Sequence, residues 1–293
     1  MSQGQYVFTQ LCSFLPKRIF DCLVDKYEGN KWVKSFTCWH HLLVMVFGQL
    51  SNRKSMRDLI VTLNAHRSKF YRLGLGKSVT RSNLSKANEV REARIFKEYA
   101  DRLIDLARRK RDGLKEFFVK NKVFAFDSTT ISLCLSVYWW TKLHHSKGGV
   151  KAHTLYDVKT DVPAFVIVTD ANVHDSQVMG DIPYEADAIY IFDRAYMDTG
   201  QLFFKWLKQH LHVKEFYGTS ENAVNIQIYS AIITYCLVAI VGSELHLKMS
   251  TYELLRIVGV SLFDKTSLRE LLKDEPVEDD NGNDQQLWLE FED

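Results

Sequence analysis

Proline is scarce in this chain, four in 293 residues, and glycine contributes only fourteen. Such a composition excludes a collagen-like, low-complexity or disordered protein. Cysteine is sparse too: Cys12, Cys22, Cys38, Cys134 and Cys236 are odd in number and include no C-x-x-C pair. That disfavours a disulfide framework or a zinc knuckle and suits a reducing cytoplasm. The opening residues MSQGQYVFTQLCSFLPKR lack the basic start and apolar core of a secretory signal. One uncharged run, residues 222–243, is long enough to span a bilayer. It contains Asn222, Asn225, Gln227, Ser230 and Thr234, and therefore reads as a buried core helix, with no membrane role expected.

What is present is a core-forming chain, 46% hydrophobic and 13% aromatic, of a length that suits one large or two modest domains. The formal charge of +2 conceals an imbalance. Residues 1–120 hold 24 Lys/Arg against 11 Asp/Glu, a net +13, and the remainder holds 14 against 25, a net −11. A basic half of this kind suits a polyanionic partner, although ordinary solvated helix faces give the same count.

The first 120 residues pattern as helices. Residues 34–50 are apolar nearly all round, which implies a buried helix. Met56, Leu59, Ile60 and Leu63 recur at helical spacing. After a glycine break in YRLGLGKSVT, one long helix is expected from about Arg81 to Asp112, capped near Thr80 or Ser82. Its first turns, RSNLSKAN, would place Arg81, Asn83 and Lys86 against base edges and phosphates if they entered a major groove as part of a helix-turn-helix. Any capped surface helix has the same look.

From residue 121 the texture becomes that of strands. KVFAF (122–126) is a buried-strand run ending on Asp127, and DAIYIF (187–192) is another, ending on Asp193. Residues 148–170 read as a hairpin turning at Lys159–Pro163. Helices are expected over 202–211 and 222–241. The last twenty residues, 274–293, contain nine acids and no Lys or Arg, the pattern of a disordered acidic tail. A carboxylate at a strand end is costly without compensation, and a divalent cation is the usual compensation. Two such acids on adjacent strands could share Mg²⁺ and promote attack of water on a phosphodiester. Equally, each could cap a loop or pair with a neighbouring arginine, as Asp193 with Arg194. The histidines show no i, i+4 pair enclosing an acid, which disfavours a histidine metal site. Trp139 and Trp140 could stack on unpaired bases, with surface packing as the alternative.

The blocks FDSTTISL, GGVKAHTLYD, NVHDS, YIFDRAYMD and LFFKWLKQHLHVKEFYGTSENAV together resemble bacterial DDE transposases of the insertion-sequence-four family. The basic helical N-terminus resembles the leader domain of one branch of it. The resemblance implies a ribonuclease-H-like α/β fold, a mixed sheet flanked by helices, preceded by an all-helical domain. On this reading residues 1–120 bind DNA and 121–250 form the catalytic domain. It further implies three acids holding two Mg²⁺ or Mn²⁺ ions, double-stranded DNA substrates (transposon ends and target), a homodimer, and a cytoplasmic, nucleoid-associated location. Asp127 matches the first acid and Asp193 the second, both as metal ligands. The third position, a glutamate in the family, is Gln201 here, and Lys208 stands where the signature lysine belongs. Lys205 and Lys208, one turn apart, could reach a phosphate together or form a solvated face. Only seven residues separate Asp193 from Gln201, where the family places a long segment. The expectation is therefore a transposase with an internal deletion near 194–201 and weakened metal binding, impaired or reduced to a DNA-binding remnant.

Overall fold

The computed structural model describes residues 4–76, 78–113, 121–133, 138, 140, 148–192 and 216–273. Six helices come first: α1 (Val7–Cys12), α2 (Lys17–Lys26), α3 (Cys38–Leu50), α4 (Met56–Ala65), α5 (Arg81–Val90) and α6 (Ala93–Arg111). Strands β1 (Val123–Leu133), β2 (Gly148–Asp157) and β3 (Val162–Asp170) follow, then the single-turn α7 (Asp175–Val178) and a short β4 (Ile189–Ile191). Helices α8 (Glu221–Glu244), α9 (Thr251–Val260) and α10 (Leu268–Leu271) complete the described residues.

Most helix starts are set by side-chain caps. Thr37, Ser55, Thr80, Ser220, Ser250 and Ser267 each accept a backbone N–H from the first turn, satisfying donors that a helix cannot pair internally. Ser250 and Glu253 form a reciprocal capping box.

The four strands lie in the order β3-β2-β1-β4, with β1–β2 and β2–β3 antiparallel and β4 parallel to β1. This is a mixed sheet, as expected. The hairpin turns where Asp157 Oδ1 accepts the N–H groups of Lys159 and Thr160, and Asp161 takes a left-handed φ of 58°.

Helix α8 organises the rest. It is long and apolar enough to cross a membrane, yet 94% of its most apolar window is buried inside the protein. It packs on α6, α3, α9, α5, α1 and β3. Ile226, Ile228, Ile232, Ile233 and Leu237 are fully buried, each worth about 1.5–3 kcal/mol relative to exposure. One apolar core joins residues of the N-terminal helices, of β1–β3 and of α8–α10. The expected units 1–120 and 121–250 thus share their interior.

Two expected boundaries are corrected. The long helix anticipated from Arg81 is two helices, broken at Arg91 and Glu92. Arg91 is extended, with φ −73° and ψ 138°, because its buried guanidinium donates to Phe36 O and, at 3.0 Å, to Thr37 O. Asn222 of α8 repairs the break: its amide donates to the carbonyls of Asn88 and Arg91 and accepts the Ala93 N–H. Strand β1, expected to end on Asp127, runs on to Leu133, since Thr129, Thr130 and Ile131 are β-branched and continue the ladder with β2. The anticipated helix over 202–211 and the acidic tail lie outside the described residues.

Candidate active site and nucleic-acid interface

Asp127 is the fifth residue of β1 and stands opposite Thr154 of β2. Alternation puts it on the same face as Ala125, Thr129 and Ile131. That face looks toward the helices, for Ile131, Ala152 and Tyr156 belong to the main core. The opposite face, with Phe124 and Phe126, is covered by Met179, Ile182, Ala188 and Tyr190. Asp127 is half-buried, and its Oδ1 accepts the Ser128 N–H at 2.8 Å. Among the described residues no cationic side chain pairs with it. Beside it on the same face, the hydroxyls of Thr129 and Thr154 are buried without a hydrogen-bond partner. A half-buried carboxylate flanked by two unmet hydroxyl oxygens is a hard-oxygen donor set, the chemistry that suits Mg²⁺ or Mn²⁺.

Strand β4 pairs Val123 with Ile189, Phe124 with Tyr190 and Ala125 with Ile191. Asp127 lies two residues beyond Ala125 in sequence, and Asp193 two beyond Ile191. Asp193 itself, Gln201, Lys205 and Lys208 lie outside the described residues. Within those residues no group of three or more His, Cys, Asp or Glu side chains is placed to hold a metal.

Behind Asp127, on the other face, is a polar cluster that sequence reasoning did not assemble. Ser128 Oγ donates to Asp175 Oδ2 at 3.0 Å. Lys151 donates to Val173 O at 2.9 Å and reaches Asp175 Oδ1 at 3.4 Å. Burial pushes the Asp175 pKa up, but the Ser128 hydrogen bond and the Lys151 charge outweigh it and hold the carboxyl below its usual range. His153 is fully buried, with Nδ1 3.2 Å from Asp175 Oδ1. Burial pulls its pKa down, aided by Lys151 and opposed by Asp175. The Thr169 hydroxyl donates to Asp170 O, so it accepts from His153 Nε2, and in the neutral ring Nδ1 carries no proton. The usable sequence signal was Lys151 and His153, two apart on one strand, with Asp175 in NVHDS.

The structure places Arg81, Asn83 and Lys86 on the exposed side of α5, whose Leu84, Ala87 and Asn88 are buried. They do not sit in a tight helix-turn-helix. Residues 66–80 separate α4 from α5, far more than the three or four of that motif's turn. Asn83 and Lys86 instead line a groove of 650 Å³ facing the segment 27–36.

The geometry is that of an α/β domain with an acid on an inner strand of a mixed sheet and a second acid two residues beyond the adjacent parallel strand in sequence. Residues 120–203 match the transposase DDE domain, and residues 3–76 match a domain of unknown function, DUF4372. The chain is 22% identical to y4zB of Sinorhizobium fredii (strain NBRC 101917 / NGR234), described as a transposase, over 220 positions covering 42% of this chain and 62% of that protein. It is 39% identical to a Geobacillus stearothermophilus protein described as the transposase of insertion sequence element IS5377, over 74 residues, 25% of this chain and 19% of that one. No solved structure matches. The chain is thus related to the DDE transposases of insertion sequences, and its α/β domain has the ribonuclease-H-like fold that a DDE domain implies. DDE domains depend in general on divalent metal. The chain spans less than two thirds of the length of either relative. Of the 220 aligned positions, 42% of 293 residues, about 123, come from this chain, so close to a hundred residues of y4zB in that span face no counterpart.

Proposed function

We propose that this chain is a DDE-type DNA transposase whose strand-cleaving and strand-transfer chemistry is impaired at the Gln201 position. The observation that supports the reading is the parallel pairing of Ala125 with Ile191, each two residues before one of the two acids in sequence. Asp127 would hold metal with its carboxylate, aided by the unmet oxygens around it, and Asp193 would supply the second carboxylate. Divalent ions bound there would activate water and stabilise charge on the scissile phosphate. A DDE site needs a third anion, and Gln201 offers a neutral amide, a far weaker ligand for a hard cation. The seven residues between Asp193 and Gln201, and the missing counterparts to y4zB, support loss of an internal segment. Missing one ligand costs orders of magnitude, because positioning and electrostatics act together.

A second reading has its own support. The net charge of +13 over residues 1–120 and the exposed Arg81, Asn83 and Lys86 favour a chain that binds double-stranded element ends without cutting them and could repress an intact copy. The test is Mn²⁺-dependent nicking of duplex DNA carrying element ends. On the proposed reading the chain nicks feebly, Asp127→Asn abolishes the residue of activity, and Gln201→Glu raises it. End binding with no nicking by the unaltered chain or either variant supports the remnant. Robust nicking by the unaltered chain overturns the impairment.

A further inference from the structure

The groove that Asn83 and Lys86 share with residues 27–36 carries an unusual aromatic. Trp32 is 91% exposed and takes a left-handed φ of 62°, a conformation that bulky side chains rarely adopt. No ring contact engages its indole among the described residues. The loop that displays it is well anchored. Gly29 N–H donates to Val24 O at 2.8 Å, Val33 N–H to Asn30 O at 3.0 Å, and Cys38 N–H to Asn30 Oδ1 at 2.8 Å. Gly29 is so tightly packed that a Cβ there would lie 2.6 Å from Ile95 Cδ1 and 2.9 Å from Cys38 Sγ. A rigid loop therefore holds a large apolar ring out in water at a backbone strain the fold does not need for its core.

The charges around that ring are directional. Glu28 is engaged by Lys31 at 2.6 Å and Glu92 by Arg94 at 2.9 Å. Lys34 and Lys86, both exposed on the groove, have no acidic partner among the described residues. Asn83 adds an amide able to donate and accept at once. A flat aromatic face, free lysines and an amide along one groove is the chemistry that binds an unpaired nucleic-acid strand: the ring stacks on a base of any sequence and the ammonium groups hold the phosphates.

We infer that the groove between residues 27–36 and α5 is a binding site for single-stranded DNA, with Trp32 as the stacking platform and Lys34 and Lys86 as phosphate contacts. This rests on the DNA-binding reading above and deepens it, by assigning a ligand and a place to the N-terminal segment.

The test is fluorescence anisotropy of the full chain with a labelled 20-nucleotide oligo-dT and, separately, a labelled 20-base-pair duplex. Variants are Trp32→Ala, Trp32→Phe and Lys34→Ala/Lys86→Ala. Trp32→Ala should weaken oligo-dT binding about tenfold or more, Trp32→Phe should restore most of it, and the double lysine variant should flatten its salt dependence. Trp32 is exposed, so its replacement leaves the fold intact, which a thermal melt checks. Duplex binding by the unaltered chain with oligo-dT binding indifferent to Trp32→Ala overturns this site alone. Binding of neither DNA by the unaltered chain overturns both this site and the DNA reading beneath it.

Discussion

The hydroxyl of Ser128 donates to the carboxylate of Asp175 at 3.0 Å, one residue along β1 from Asp127. Because neighbouring strand residues point to opposite faces, the bond fastens α7 to the back of the strand that presents Asp127 on the front. Asp175 is thus a positioning group for β1, and its NVHDS block acts behind the candidate site.

Removing that bond has a readable signature. Ser128→Ala should lower stability by about 1 kcal/mol or less, since Asp175 is partly exposed and solvent takes over part of the interaction. The folded pKa of Asp175 lies below its ordinary value. Its contribution is therefore fully present above the unfolded pKa near ~3.9 and is lost as pH falls through the folded value. Asp175→Asn should flatten the pH dependence of the urea midpoint below about pH 4. An unchanged slope there would assign the acid sensitivity elsewhere.

His41 should govern stability at a higher pH. Burial drives its pKa down to about 3, helped by the Arg91 charge and opposed by the Asn88 hydrogen bond. Nε2 lies 2.7 Å from Asn88 Oδ1 and Nδ1 is buried without a partner, which fits a neutral ring donating from Nε2. The unfolded chain binds a proton near pH ~6.5 and the folded one does not, so stability is complete above that pH and declines as pH drops toward 3. His41→Gln should remove much of the decline between pH 6.5 and 4, followed by chemical denaturation at stepped pH. A decline of equal size in the variant would contradict this.

Arg108 bonds Asp157 at 3.1 Å and Glu185 at 2.8 Å, tying α6 to the hairpin and to the approach to β4. Asp157 is nearly fully buried. Arg108→Met would strip its countercharge and should cost about 3 kcal/mol, the scale for breaking a buried pair from one side. Adding Asp157→Asn to that variant should recover part of the loss, because the amide keeps turn hydrogen bonds without a buried charge. Thermal melts of the single and double variants decide the matter, and an additive double variant would show that the two residues do not interact.

Much of the fold was legible from periodicity. Helices α3, α4 and α8, the β2–β3 hairpin and β4 follow their apolar patterns, and Thr80 caps where the sequence placed a cap. The break at Arg91 was not legible, because it depends on Asn222, some 130 positions away, and on carbonyls of the α2–α3 loop. The extension of β1 past Asp127 was hidden by a polar S-T-T stretch whose pairing partner is distant. Helix α9 is marked in the sequence by the Ser250–Glu253 capping box rather than by a long apolar pattern. Of the candidate site, Asp127 was legible as an acid in an apolar strand. The Ser128–Asp175–Lys151 cluster was not, since it is assembled across three elements.

The position of α8 sets an order of events during synthesis. The inward faces of α3 and α6, with Val44 and Leu103 fully buried in the finished protein, gain their packing against α8 only when residues 221–244 emerge from the ribosome. Even α1 finds its anchors late: Val7 bonds Asp264, and Gln10 bonds Thr266. More than half of the polypeptide must wait with apolar surface in water, the state in which nascent chains meet chaperones or aggregate.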